Sequence, residues 1–266
     1  MRITWLGCAA FAVEAEGRTL LLDPFATRCA LHRVAFAPLE PDRAAIDRWI
    51  PRVDYVICGH AHYDHALDAP AIARRDDALL VGSRTLCLVA RAAGVPEAQL
   101  REVPPDGARL RLGPFNVRLV PSVHGRWAFG RMLFAGCLDE PPRLPMRAAG
   151  WVDGGVFGIH VEAQGASLYH AGSAGIVDGA LQGLRADAVL ACLAGRRFTP
   201  GYLERLAGAL RPGLLVASHF DDFFRGLDLP LRTLPGTGVH DFPREVRALG
   251  VTPLVPAHLA SFVVGD

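Results

Sequence analysis

The chain has 266 residues, 51% of them apolar and 21% charged, a balance that fits a folded globular protein and excludes a disordered one. All 28 basic residues are arginine, and the absence of lysine excludes Schiff-base chemistry, lysine-bound pyridoxal phosphate and P-loop nucleotide binding. A net charge of +1 gives no general attraction for nucleic acid or an anionic membrane, and no apolar run reaches the ~18 residues of a membrane span.

In chain order, the opening reads as a β-meander, with short strands over residues 3–6, 11–15 and 19–22 separated by Gly7 and Gly17. Pro24 stops the third strand. A proline-containing loop leads into a helix over 43–50. Residues 53–58 form a continuous apolar run bounded by Gly59, the pattern of a strand buried on both faces. Helices over 71–75 and 83–93 flank a buried strand over 78–81, and 110–120 gives strands around the Gly113-Pro114 turn.

Residues 126–151 are irregular, with prolines at 141, 142 and 145 and apolar side chains at Trp127, Phe129, Met132, Leu133 and Phe134. Strand character resumes over 156–161, 167–170, 188–193 and 214–217. A helix over 201–210 follows Pro200. A helix over 244–249 and a strand over 262–264 close the chain. With no repeat and no linker, residues 1–266 read as a single domain. A β-rich half followed by αβ alternation predicts two sheets packed together and covered by helices.

Six cysteines include no C-x-x-C pair, and Cys58 and Cys192 sit inside apolar runs. They read as small buried hydrophobes in a reducing compartment, which makes the expected location cytoplasmic.

The strongest chemical signal is His60-Ala61-His62-Tyr63-Asp64-His65, directly after the apolar run. In an extended loop His60 and His62 point the same way, whereas the adjacent Asp64 and His65 diverge and can serve a second centre. Neutral imidazole with carboxylate suits zinc or a related divalent ion.

This H-x-H-x-D-H element after a buried strand resembles the signature of the metallo-β-lactamase superfamily, and the resemblance extends over most of the chain. Gly7 followed by Phe11, and Leu20-Leu21-Leu22-Asp23-Pro24, are similar to the opening of its ascorbate-phosphate-lactonase-like branch. The resemblance implies an α/β fold, a four-layer αββα sandwich of two mixed sheets flanked by helices. It also implies a metal-dependent hydrolase, in which a metal-bound hydroxide attacks an ester, lactone, amide or phosphodiester bond of a small molecule. His124 is similar to the third-motif histidine, completing with His60 and His62 a three-histidine site whose fourth position is open. His219 is similar to the last-motif histidine and would join Asp64 and His65 in a second site. Asp64 is the catalytic candidate, holding a metal and orienting the nucleophile. Asp23 would brace the histidine loop from behind. The cofactor expected is one or two divalent ions, zinc first, with manganese or iron as alternatives.

Two departures stand out. Relatives usually carry histidine where this chain has Cys8, so that histidine's role lapses. The aspartate that bridges two metals in relatives appears as Ser173, so the second site is expected to bind more weakly unless Asp178, Asp221 or Asp222 compensates. His170 reads as a packed histidine and His160 as structural. Arg196, Arg197 and Arg225 are candidates for holding an anionic group, although arginine is more often a solvated surface residue. Residues 126–151 either fold over the metals as a lid, with Phe129, Met132 and Phe134 at the pocket border, or pack on their own domain. Two rival readings are a nuclease-like phosphodiesterase, disfavoured by the near-neutral charge, and a non-catalytic metal or ligand binder, motivated by Ser173.

Overall fold

The computed structural model describes residues 1–126 and 130–265. Strands β1 (Arg2–Trp5), β2 (Phe11–Ala15) and β3 (Arg18–Leu22) form the expected antiparallel meander. A short strand β4 (Pro38–Leu39) lies outside it. Strands β5 (Tyr55–Ile57), β6 (Leu79–Ser83) and β7 (Leu100–Val103) then add in parallel. The second sheet comprises β8 (Ala108–Leu112), β9 (Phe115–Ser122), β11 (Val156–Ala163), β12 (Ala166–His170), β13 (Ala188–Cys192), β14 (Leu214–Ser218) and β15 (Thr252–Leu254). Its last four strands are parallel and the rest antiparallel. A last strand, β16 (Ser261–Val263), returns to pair with β1, and β10 (Met146–Arg147) pairs with β4 in a two-stranded ribbon. Among the described residues each main sheet thus has seven strands.

The continuous apolar runs are explained by what covers each face. Leu20, Leu22, Ile57 and Val81 pack toward the second sheet with Leu119 and Ile159, while their neighbours Leu21, Val56, Cys58 and Leu80 pack with the helices. Both faces are dry, so the period-2 alternation of a half-exposed strand disappears. Each fully buried leucine contributes on the order of 1.5–3 kcal/mol. Helices α2 (Arg43–Trp49), α4 (Ala69–Asp76) and α5 (Arg84–Ala92) supply Ile46, Ile72 and Leu86 to the outer layer of the first sheet. Helices α6 (Tyr202–Leu210) and α7 (Phe242–Ala248) supply Leu203, Leu206 and Phe242 beside the second. Asp42 and Ser83 cap α2 and α5 by accepting the N–H groups of Ala45 and Leu86. The layers run αββα, as expected.

Helix α1 (Leu31–Phe36) and strands β7 and β15 fall outside the sequence expectation. No residue of α1 is buried, so it has no core-facing stripe to betray it. β7 and β15 are sheet edges, where Arg101, Glu102 and Pro253 interrupt any apolar run. Strand and helix already alternate from α2 through β5, α4, β6 and α5 to β7, so alternation begins in the first half of the chain and not only in the second.

Candidate metal centre

The His60–His65 segment lies in the turn that follows β5 and runs into the short helix α3 (Tyr63–Ala66). Gly59 makes the turn possible. A Cβ there would come within 2.9 Å of the Phe157 carbonyl oxygen, and the Phe157 N–H donates to the Gly59 carbonyl at 2.8 Å. The first sheet's loop is therefore pressed against the second sheet's β11. The Gly59 N–H donates to Asp23 Oδ1 at 2.6 Å, and Asp23 Oδ2 accepts from His170 Nε2 at 2.7 Å. The same oxygen lies 3.0 Å from His65 Nδ1, close enough for an ion pair but off the line of a hydrogen bond. Asp23 thus anchors the loop from behind, and His170 is a fully buried packing partner.

His124 lies just past β9, so it reaches the cluster from the second sheet. The donor atoms of His60, His62 and His124 all lie within 4.8 Å of one another. His62 Nδ1 is 3.2 Å from His124 Nε2. The remaining nitrogens are tied off: His124 Nδ1 donates to the Gly125 carbonyl at 2.6 Å, and His62 Nε2 donates to the Phe134 carbonyl at 3.2 Å. His60 is buried with no hydrogen-bond partner on either ring nitrogen among the described residues. Burial, with repulsion from neighbouring histidines and His65 common to all three, pushes them below the usual histidine range, His124 down to about 3. They are neutral at physiological pH, the state in which imidazole binds metal.

A second cluster adjoins the first. His219 follows β14, and its Nε2 lies 3.1 Å from Asp64 Oδ2. His65 Nε2 lies 3.6 Å from the same oxygen. Burial opposes the charge on Asp64, but His65 and His219 outweigh it and hold its carboxyl well below the usual range. Burial likewise opposes protonation of His65, and here Asp64 and Asp23 prevail and raise it. The sequence reading set Cys8 aside, yet its sulfur lies 3.6 Å from His219 Nε2, and Cys8, Asp64 and His219 form the second mutually close donor set. Cys8 and His219 both take left-handed backbone angles, with φ of 51° and 53°, strain that the fold tolerates at this point.

Ser173 borders the pocket, and its hydroxyl accepts the Gly125 N–H at 2.9 Å. None of the three candidate carboxylates replaces the missing one. Asp178 is exposed and pairs with Arg205, and Asp222 caps the turn at Phe224. Asp221 turns away to a fully buried pair with Arg28 at 2.8 Å, and also accepts from Cys8 N–H and His258 Nε2. His160 bonds to the Arg185 carbonyl, as a structural histidine does.

The pocket over these donors opens to solvent, with Tyr63, Leu133, Phe134, Phe223 and Phe224 as its apolar wall. Phe223 and Phe224 escaped the sequence reading, although they closely follow the motif histidine His219. From the 126–151 segment, Leu133 and Phe134 line the pocket and Met132 does not. Trp127 and Phe129 lie outside the described residues. Among the described residues no arginine lines the pocket. Arg196 is held by Glu245 and the carbonyls of Thr237 and Gly238, and Arg197 stacks over Phe198. Among the described residues no helix is long and apolar enough to cross a membrane.

Comparison with known proteins agrees with this geometry. Residues 18–221 match the family described as the beta-lactamase superfamily domain. A UPF0173 metal-dependent hydrolase of Methanopyrus kandleri is 30% identical over 256 residues, covering 94% of each chain. Another, from an Anaeromyxobacter species, is 29% identical over 232 residues, covering 83% of this chain and 75% of its own. The metallo hydrolase Igni18 from Ignicoccus hospitalis shares the fold with a TM-score of 0.63 at 20% identity, over 100% of this chain and 98% of its own. Sequence, layers and donor geometry converge: the chain belongs to the metallo-β-lactamase superfamily, as one of its metal-dependent hydrolases.

Proposed function

We propose that the pocket hydrolyses a neutral ester, lactone or amide carrying an apolar group, with zinc as the resident ion and manganese or iron as alternatives. The observation that carries the metal assignment is His60. A buried imidazole with both nitrogens unpaired costs folding energy unless something binds it, and here it faces two other neutral histidines. His60, His62 and His124 would hold one ion, and Asp64, His65 and His219 the second. A divalent ion bound there supplies Lewis acidity, acidifying water and stabilising negative charge on the substrate oxygen.

The chain's own groups do the rest. Asp64 orients the attacking water by accepting its hydrogen bond. The carbonyls of Gly125 and Phe134 fix the ring orientations of His124 and His62. The apolar wall excludes bulk water and binds the substrate's apolar part. Residues 130–151 act as a lid over the single domain, contributing Leu133 and Phe134 to that wall. With no arginine at the pocket among the described residues, a phosphodiester would have only the ions to neutralise it, and the apolar wall favours a neutral acyl substrate over nuclease-like activity. Six free cysteines fit a reducing, cytoplasmic setting.

The test is hydrolysis by zinc-loaded and manganese-loaded protein of a panel of lactones, aryl esters, amides and phosphodiesters. Turnover of an acyl substrate, lost on chelation and restored by metal, is expected. Activity confined to phosphodiesters would move the reading to the nuclease class. Tight metal binding with no turnover of any class would move it to a non-catalytic binder.

A further inference from the structure

The second donor set contains a residue that the family resemblance leaves without a role. With Ser173 in place of a carboxylate, Asp64 is the only anionic group that the expected ligands bring to two dications. We propose that Cys8 is a thiolate ligand of the second ion, joining Asp64, His65 and His219 beside the three-histidine site. This rests on the hydrolase reading above and names how its second ion is held.

The distances fit. A tetrahedral zinc has bonds of about 2.3 Å to sulfur and about 2.0 Å to nitrogen, which puts those two ligand atoms about 3.5 Å apart. Cys8 Sγ lies 3.6 Å from His219 Nε2 and 3.7 Å from its Nδ1, so the ring must rotate to aim Nε2 at a shared ion; His219 Nε2 and Asp64 Oδ2 are 3.1 Å apart, and the three donor atoms lie within 4.8 Å of one another. The surroundings hold Cys8 in that position. Its N–H donates to Asp221 Oδ1 at 2.8 Å, its carbonyl accepts the His219 N–H at 2.8 Å, and Arg28 locks Asp221 from behind. Gly7 leaves no room for slack, because a Cβ there would come 1.9 Å from Arg28 Nη2. Cys8 Sγ makes a weak hydrogen bond to the Asp64 carbonyl at 3.7 Å, as two other buried thiols do to other carbonyls, but of these three it alone joins a donor set among the described residues. Cys58 donates to the His65 carbonyl and Cys192 to the Ala194 carbonyl, and neither joins a donor set among the described residues.

Metal binding would replace the S–H bond of Cys8 with a sulfur–metal bond and release the proton to solvent. The thiolate then contributes the negative charge that Ser173 withholds, and the second site need not be weak. A sulfur donor also biases that site toward zinc, cobalt or cadmium over manganese.

Cobalt(II) substitution tests this directly, because a cobalt–thiolate bond adds a near-ultraviolet charge-transfer band that nitrogen and oxygen ligands do not give. The band is expected to grow with the second equivalent in the unmodified protein and in Cys192→Ser, and to vanish in Cys8→Ser. Affinity for the second equivalent should fall at least about tenfold in Cys8→Ser and recover without the band in Cys8→His. Two bound equivalents with no band in the unmodified protein, or a band that survives Cys8→Ser, would overturn the proposal. Visible cobalt bands and hydrolysis would then persist and leave the hydrolase reading standing. Failure to bind any cobalt would remove both.

Discussion

The Nε2 of His62 donates to the backbone carbonyl of Phe134 at 3.2 Å, joining a candidate metal ligand to the wall of the pocket above it. The same residue that shapes the apolar wall therefore orients the imidazole beneath, one with its side chain and the other with its backbone.

Phe134→Ala removes the ring but keeps the carbonyl. It should leave metal content unchanged and weaken binding of apolar substrates. KM for long-chain esters should rise about tenfold, the scale of 1–3 kcal/mol per apolar pocket contact, and KM for acetyl esters should change little. Steady-state kinetics across an acyl-chain series measures the split. Equal effects on short and long chains would mean that Phe134 does not contact substrate.

Replacing His60 and His62 together by alanine removes two neutral imidazoles from the three-histidine cluster. Metal content measured by elemental analysis should drop, and hydrolysis should fall below detection. Far-ultraviolet circular dichroism should stay close to the unmodified protein's, since both side chains lie in a turn outside the sheets. Full activity in this variant would refute the assigned site.

Arg28 and Asp221 form an ion pair with both side chains about 1% exposed. Asp221→Ala leaves a buried guanidinium uncompensated and should cost roughly 3–5 kcal/mol in urea denaturation. Changing both partners, Arg28→Met with Asp221→Leu, should recover much of that loss. If the single and double variants lose the same amount, the pair is not what stabilises this corner.

Asp68 is fully buried and accepts the N–H groups of Ala26 and Thr27 and the Thr27 hydroxyl. Burial pushes its carboxyl up to about 6, against those hydrogen bonds. The folded state therefore favours the protonated form. The stability this confers is full below the unfolded value near 4 and is lost as pH rises through about 6, at most ~3 kcal/mol. The stability of the unmodified protein relative to Asp68→Asn should accordingly increase as pH falls from 7 to about 4.5. Parallel stability–pH curves would contradict the shift.

Much of this molecule is legible in its sequence, for a reason visible in particular residues. The run ending at Cys58 is apolar because both faces of β5 are covered, and the histidine cluster follows it because ligands belong at a strand end. His124 and His219 can be placed because each also ends an apolar strand. Cys8 could not be read this way. One cysteine after a four-residue strand carries no pattern, and it reaches Asp64 and His219 only through contacts spanning 56 and 211 positions. The Arg28–Asp221 pair, 193 positions apart in sequence, escaped for the same reason: charge pairing across the fold leaves no local trace. Helix α1 escaped because nothing in the core asks for it.

Both donor sets draw on both sheets. His60 and His62 leave the first and His124 the second; Cys8 and Asp64 leave the first and His219 the second. An ion in either set would be a rivet through the seam of the sandwich, and its binding energy would count as folding energy in proportion to the logarithm of metal concentration. Because the pocket over the donors opens to solvent, an ion can leave without the sheets parting, and metal starvation in a cell would cost activity at once while loosening the seam.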